Sequence, residues 1–484
     1  MDRKAKIIVT IGPSCRDELV IKEMIEAGMD VARLNFSHGS YDIHEKTIIS
    51  LRKLSRQSKK PITILQDLQG PKLRVGELPT EGQIIKKGSN YILSESPSLK
   101  TEHESFKNLP LIHVIVPNLS KYLVPGKSIM MDDGNIEFVV LEVREEYVVA
   151  EAITEGTLFS RKGVNIPGAI FDFPSLTEKD QRDLLFGLEH DVDAIALSFV
   201  HKAEDIIAMR SLIENHARKG SNPFVIAKLE RPEAVHNLEE ILIAADGVMV
   251  ARGDLAVETS PAIVPIIQKE IIQAANRKSK LVITATQMLD SMIHNPRPTR
   301  AEASDIANAV FDGSDAIMLS GETAIGNYPV KSVEMMRSIV IQAEQHYSDW
   351  GQFFRDEEHA HDDAISITRA AGELARDREV EMIVVFTISG RTALLMSKAH
   401  PEVPILAFSP NKRTYERMGL FWNVFPFMVQ YAESVEEMLK RVESTLLSNN
   451  LIQMGQQVVV VSGYPVGAMC PPNLALLHTI GGKT

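Results

Sequence analysis

Eight short apolar runs, each closed on its C-terminal side by polar or charged residues, constrain this chain more than any other feature. They are Ile7 to Ile11, Val31 to Leu34, Ile62 to Leu65, Ala194 to Leu197, Phe224 to Ala227, Gly247 to Ala251, Leu281 to Ala285 and Ala316 to Leu319. Runs this short and this apolar suit strands buried on both faces, and most are separated by stretches with helical spacing such as Ser260 to Arg277. Eight parallel strands alternating with helices predict an α/β fold of the (β/α)8 barrel type, the TIM barrel; a doubly wound open sheet is the alternative.

The placement of polar residues separates the two. Arg33, Asn35 and Ser37 follow the second run; Asp67 the third; Ser198 the fourth; Lys228 and Glu230 the fifth; Arg252 and Asp254 the sixth; Thr284 and Thr286 mark the seventh; Ser320 and Glu322 follow the eighth. All of this chemistry gathers at one end of the strands, as it does on the active face of a barrel. Side chains in a strand alternate with period two, so Arg33 with Asn35, Lys228 with Glu230, Arg252 with Asp254, and Thr284 with Thr286 are each expected to share a side.

At 484 residues the chain is long enough for roughly three domains at about 150 residues each. The gap between the third and fourth runs is rich in β-branched stretches (Ile112 to Val116, Phe138 to Val143, Tyr147 to Ile153) punctuated by turns such as Asp132-Asp133-Gly134, and reads as a small β domain inserted in one loop of the active face, placed to act as a lid. After the helix-like segment from Pro329, the acidic stretch Asp356 to Asp363 reads as a linker. Strand-like Met382 to Thr387, Ile405 to Phe408, Val424 to Val429 and Val458 to Val461 then alternate with helix-like Arg391 to Ala399 and Val435 to Leu447, the pattern of a third, open α/β domain. The expected division is 1–70 with 174–347 for the barrel, 71–173 for the lid and 348–484 for the C-terminal domain.

Charge and cysteine content narrow the function. The chain carries 52 Lys and Arg against 64 Asp and Glu, a net charge of −12, so its surface repels a phosphate backbone and nucleic acid is not an expected partner. The two cysteines, Cys15 and Cys470, lack metal-ligand spacing and stand at opposite ends of the chain; a reducing cytoplasm is the expected compartment. No apolar stretch approaches the roughly 20 residues of a membrane span, so a soluble protein without a membrane partner is expected.

Glu230 and Asp254, on adjacent strand ends, offer the hard oxygens that Mg2+ takes. Alone they read equally as solvated loop acids, but Lys228 and Arg33 on the same rim add cations for a bound anion, a set suited to phosphoryl transfer or enolate stabilisation. No G-x-S-x-G elbow is present, so acyl transfer lacks support. Gly481-Gly482-Lys483-Thr484 mimics the end of a P-loop, yet Leu477 stands where its first glycine belongs. His359 and His361 read as part of a solvated linker. Thr387-Ile388-Ser389-Gly390-Arg391-Thr392 follows a strand and opens a helix, offering hydroxyls, amide N–H groups and an arginine to a phosphate, or simply capping the helix.

The chain resembles pyruvate kinase along its whole length. The resemblance rests on Thr10-Ile11-Gly12-Pro13-Ser14, Arg33-Leu34-Asn35-Phe36-Ser37-His38-Gly39, Ala227-Lys228-Leu229-Glu230, Met249-Val250-Ala251-Arg252-Gly253-Asp254-Leu255, Thr284-Ala285-Thr286-Gln287-Met288-Leu289, Pro298-Thr299-Arg300-Ala301-Glu302 and Leu319-Ser320-Gly321-Glu322-Thr323. It implies a barrel with an inserted small β-barrel lid and a C-terminal regulatory α/β domain, assembled as a homotetramer. It implies transfer of the phosphoryl group of phosphoenolpyruvate to ADP, giving pyruvate and ATP. By the same resemblance Lys228 neutralises the moving phosphoryl group, Glu230 and Asp254 hold Mg2+ (or Mn2+), Arg33 grips phosphate, Thr286 sits near the reacting carbon and Ser320 belongs to the proton relay. Gly253 and Asp254 bind the substrate carboxylate through their amides, and His38, Arg74 and Lys162 face the nucleotide.

Two departures stand out. Where most members read Asp-Thr-Lys-Gly-Pro-Glu, this chain reads Asp67-Leu68-Gln69-Gly70-Pro71-Lys72. In the family that glutamate accompanies a K+ held by residues matching Asn35, Ser37 and Asp67; a lysine ammonium supplies the charge itself, so K+ is expected to be dispensable. In the third domain the loop with Thr387, Ser389, Gly390, Arg391 and Thr392 resembles the family's effector-phosphate pocket, but Ile388 replaces a lysine and Tyr464-Pro465-Val466-Gly467 lacks an arginine. A sugar monophosphate or AMP is the expected effector. The rival readings are a phosphoenolpyruvate- or pyruvate-binding barrel lyase or aldolase, and a non-catalytic sugar-phosphate sensor.

Overall fold

A computed structural model describes residues 2–99, 106, 108–169, 171, 173–352, 362–466 and 470–482. Strands Lys6–Ile11, Val31–Asn35, Thr63–Asp67, Ala194–Leu197, Phe224–Leu229, Gly247–Ala251, Leu281–Ala285 and Ala316–Leu319 form a closed barrel in which every strand neighbours the next and the eighth returns to the first. All pairings are parallel, with Lys6 level with Ala316 where the barrel shuts. The doubly wound alternative is thereby removed.

Period two explains how this barrel carries chemistry. On the inward parity Ile8, Val31, Leu65, Ala196 and Ile226 are wholly buried in the barrel interior. Two residues further along, the same parity delivers Thr10, Arg33, Asp67, Ser198 and Lys228 to the C-terminal mouth. The opposite parity, Ile7, Val9, Ala32, Leu34 and Ile64, packs under the outer helices. Strand ends differ slightly from expectation: the third runs to Asp67 and the fifth to Leu229, so Asp67 and Lys228 are rigid strand residues rather than loop residues.

The insertion is a seven-stranded, mostly antiparallel sheet around its own apolar core. Its two edges meet through an antiparallel bridge between Arg74 and Gly163, supported by Val75 N–H to Lys162 O (2.8 Å) and Val164 N–H to Leu73 O (3.0 Å), which closes it into a small barrel. The C-terminal sheet has five strands in the order Val424–Met428, Ile405–Ser409, Met382–Phe386, Gln457–Ser462, Leu474–Thr479. The first four are the expected parallel strands. The fifth, antiparallel at the edge, was not expected; it contains Leu477 and excludes a P-loop there. Helix Asp363–Asp377, whose N-terminal amides bond to the Asp362 carboxylate, packs on this sheet. The expected linker residues 356–361, with His359 and His361, lie outside the described residues. The sheet domain is fastened to the base of the barrel by buried polar contacts: Lys398 with Asp315 and Asn276, Lys6 Nζ with Val424 O (2.8 Å), and Thr63 Oγ1 with Glu416 O (2.6 Å).

Candidate active site

At the barrel mouth one buried ammonium organises its neighbours. Lys228 Nζ donates to Ser198 Oγ (2.6 Å) and lies 2.9 Å from Glu230 Oε1 and 3.2 Å from Asp67 Oδ1. Burial works against its charge, but Asp67 and Glu230 outweigh burial and hold its pKa above the ordinary lysine value. Asp67 in turn accepts from Arg33 Nε (2.6 Å). Burial alone would raise the Asp67 carboxyl; Arg33 and Lys228 bring it below the usual carboxylate range. Arg33 is steadied from the first strand by Thr10, whose Oγ1 accepts from Arg33 Nη1 (3.0 Å) while donating to Leu319 O (2.8 Å). Two cations are therefore fixed side by side by one buried carboxylate.

Glu230, 2% exposed, accepts the Phe199 amide on Oε2 (2.8 Å). Phe199 adopts φ +54°, which aims that amide, and Gly70 lies against it so closely that a Cβ there would come within 2.9 Å of Ser198 Cβ and 2.8 Å of the Phe199 ring. The Glu230 pKa is raised, first by burial and then, after a counteracting Lys228, by the nearby Asp254. A buried carboxylate whose ionisation is opposed both by burial and by a neighbouring carboxylate is a donor that a divalent cation relieves. Mg2+ takes one or two carboxylates and completes its shell from substrate and water, a demand that Glu230 and Asp254 could meet.

Thr286 sits at φ +69°, just past its strand. Its hydroxyl donates to Ala285 O (2.6 Å) and accepts from Gly253 N (2.9 Å), which ties the start of the Arg252–Glu258 helix to the loop after the seventh strand. Ser320 Oγ is buried and has no hydrogen-bond partner among the described residues. Its backbone is held by Glu322, whose Oε2 accepts from Ser320 N (2.7 Å) and Oε1 from Leu289 N (3.0 Å).

Two expected pairings are corrected. The sixth strand stops at Ala251 and residues Arg252–Glu258 form a helix, so Arg252 does not share a side with Asp254. Arg252 instead donates to Thr286 O and Asp305 Oδ2 (both 2.6 Å), bracing the loop that carries Thr286. Thr284 faces the helix layer and bonds to Ser314 Oγ (2.7 Å), while positive φ at Thr286 breaks the alternation between them. Period two fails where the strand ends.

Lys72 reaches the site, though not the neighbours expected of it. Its Nζ lies 3.1 Å from Asp254 Oδ1, whereas Asn35 Oδ1 accepts from Ser37 N (3.0 Å) and Asp67 is engaged by Arg33 and Lys228. Around the rim His38 has a lowered pKa, through burial and then the charges of Arg74, Arg33, Lys72 and Lys179. The four cations Arg74, Arg33, Lys72 and Lys179 thus surround a His38 whose neutral form they favour. Lys179, which sequence reasoning missed, is held there by Phe36 O (2.7 Å) and Asp183 (2.6 Å). In the lid Arg74 Nη1 donates to Arg161 O (2.9 Å), and Lys162 pairs with Asp132 (2.6 Å). Thr10 was missed too, although its inward parity could have identified it.

In the C-terminal domain Gly390 takes φ +92° and its amide donates to Thr387 Oγ1 (2.9 Å). Thr387, Ser389, Arg391 and Thr392 line a cavity of about 340 Å³ together with Tyr431 and Cys470. Arg391 lies 3.5 Å from Asp362 and is largely exposed. Gly467 lies outside the described residues.

With this geometry in hand, comparison with known proteins is direct. Residues 2–333 match the family described as Pyruvate kinase, barrel domain, and residues 365–478 that described as Pyruvate kinase, alpha/beta domain. The chain is 40% identical to a curated protein named Pyruvate kinase from Geobacillus stearothermophilus, over 99% of this chain and 81% of that one. It is 40% identical to one of the same name from Agrobacterium vitis, over 96% of each, and 38% identical to one from Clostridium perfringens, over 99% of this chain and all of that one.

Proposed function

The chain belongs to the pyruvate kinase family and transfers the phosphoryl group of phosphoenolpyruvate to ADP, giving pyruvate and ATP, and from that premise we propose how its residues divide the work. The carrying observation is the buried Lys228 ammonium, fixed between Asp67, Glu230 and Ser198. Phosphoryl transfer asks a protein mainly for positioning and for charge placed where negative charge develops. Lys228 and Arg33 meet the phosphate of phosphoenolpyruvate, and Asp67 keeps both cations from turning away. Glu230 and Asp254 would hold Mg2+ or Mn2+, which when bound neutralises the enolate and carboxylate oxygens. Thr286 and the amides of Gly253 and Asp254 orient the carboxylate. Ser320, whose hydroxyl has no hydrogen-bond partner among the described residues, hands on the proton that converts enolate to pyruvate. His38, Arg74 and Lys162 take the nucleotide phosphates. Family membership removes the footing of the lyase and sensor readings.

The division into 1–70 with 174–347, 71–173 and 348–484 is supported by the sheets, none of which crosses these bounds: the closed barrel, the seven-stranded and two-stranded sheets of the insertion, and the five-stranded C-terminal sheet. Assembly as a homotetramer follows the family; the free cysteines Cys15 and Cys470 suit a reducing cytoplasm, and no helix of the described residues is long and apolar enough to cross a membrane.

We propose further that Lys72 replaces K+. Its ammonium stands inside the site on Asp254, adding the charge a monovalent ion would bring. Purified protein with phosphoenolpyruvate, ADP and Mg2+ in Na+ buffer free of K+ is expected to make pyruvate and ATP in equal amounts at an unimpaired rate. Turnover appearing only after K+ is added would overturn the role of Lys72 and leave the kinase reading intact.

For the third domain, a sugar monophosphate or AMP binding at Thr387, Ser389, Gly390, Arg391 and Thr392 is the effector reading, supported by the hydroxyl- and arginine-lined cavity. Arg391→Ala is expected to abolish activation by such a ligand without changing the unactivated rate. Undiminished activation of the variant by every monophosphate that activates the parent would reject the pocket.

A further inference from the structure

The two carboxylates at the centre of the site sit beside two residues that the chemistry does not use. Arg231 follows Glu230, and Glu258 lies one turn along the helix that carries Asp254; both are buried, 4% and 6% exposed. Each reaches out of the barrel and into the lid. Glu258 Oε1 accepts from Asn165 Nδ2 (2.8 Å), and Arg231 Nη2 donates to Ala169 O (2.6 Å) with its guanidinium 5.0 Å from the centre of the Phe171 ring. The two are also 3.7 Å apart as an ion pair, and Glu258 Oε2 has no hydrogen-bond partner among the described residues.

The lid residues seized in this way follow closely on Lys162. Between them Gly163 lies over Lys72, where a Cβ would come within 3.2 Å of Lys72 Cε. One short lid segment thus carries a nucleotide-facing lysine, covers the lysine on Asp254 and ends on the Arg231–Glu258 pair. We propose that Arg231 and Glu258 are positioning residues that latch the lid, through Asn165, Ala169 and Phe171, so that Lys162 and Arg74 stand over the carboxylates during transfer. Because the latch residues share the backbone of Glu230 and Asp254, lid closure and the placement of those carboxylates are set by the same two segments. An asparagine buried against a carboxylate fits this role, since breaking the contact removes from the buried Glu258 the one side-chain hydrogen bond it shows among the described residues.

The inference rests on the reading that Lys162 and Arg74 meet the nucleotide, and the experiment separates the two. Spin labels on Val124→Cys in the lid and Ile207→Cys on the barrel, both exposed positions, are introduced in a Cys470→Ser background of the full chain. Their separation is measured by double electron–electron resonance with phosphoenolpyruvate, ADP and Mg2+ present. Asn165→Ala, which removes only the lid partner, and Glu258→Gln, which removes only the charge, are compared with the parent. Both are expected to lengthen and broaden the separation and to raise KM for ADP about tenfold, while kcat falls less and phosphoenolpyruvate affinity without ADP is unchanged. A longer separation with unchanged KM for ADP would keep the latch and reject the nucleotide role of Lys162 and Arg74. An unchanged separation in both variants, whatever happens to KM, would overturn the latch.

Discussion

Lys228→Met is expected to lower kcat for ATP formation by about a thousandfold or more, the scale on which removal of a preorganised charge from a transferring phosphoryl group is felt. Methionine fills most of the space of the lysine stem, so the loss is electrostatic. It has two parts. The moving phosphoryl group loses the cation it approaches, and Glu230 loses the ammonium that favours its ionised form in a buried place, while Asp67 keeps Arg33. Burial already raises the Glu230 pKa in spite of Lys228; without Lys228 it rises further, so at neutral pH more of Glu230 is protonated. Whatever activity remains should therefore climb with pH as Glu230 ionises. The check is a pH series of kcat beside the parent, with thermal unfolding to establish that the variant is folded. A folded variant within tenfold of the parent would remove Lys228 from the centre of the reaction.

Asp254→Asn is expected to raise the Mg2+ concentration for half-maximal activity at least about a hundredfold. Replacing a supporting group of a metal ligand costs ten- to a hundredfold in affinity, and a direct ligand should lie at or beyond the upper end. Asparagine keeps one oxygen and the shape but loses the charge, and with it the only ion-pair partner that the described residues show for Lys72. The ammonium then faces an incoming divalent cation uncompensated, which adds to the loss. Activity as a function of free Mg2+, together with Mn2+ binding followed by electron spin resonance without substrate, tests this directly. Unchanged metal dependence in both would assign the ion to other ligands.

How much of this was legible beforehand depends on the distance over which each feature is determined. The eight strands, and the inward parity that brings Arg33, Asp67 and Lys228 to one mouth, follow from short apolar runs and a side-chain period of two, each expressed within five or six residues. That period is local sterics and burial, so it can be read along the chain. The motif around Thr286 and Ser320 was legible by resemblance, because chemistry limits which residue types can stand there. The sequence could not show that Arg252 turns away from Asp254, because the end of a strand is set by what it packs against: the change to helix at Arg252 and to positive φ at Thr286 is invisible to a two-residue period. Nor could it show that Lys72 meets Asp254, 182 residues away, or that Asn165 meets Glu258, 93 residues away. Such contacts are made by the path of a loop and the register of a closed barrel. Local pattern determined which side chains enter the barrel mouth; only the tertiary structure decided which of them touch, because contact energies between distant segments are realised only once the intervening chain has been folded around them.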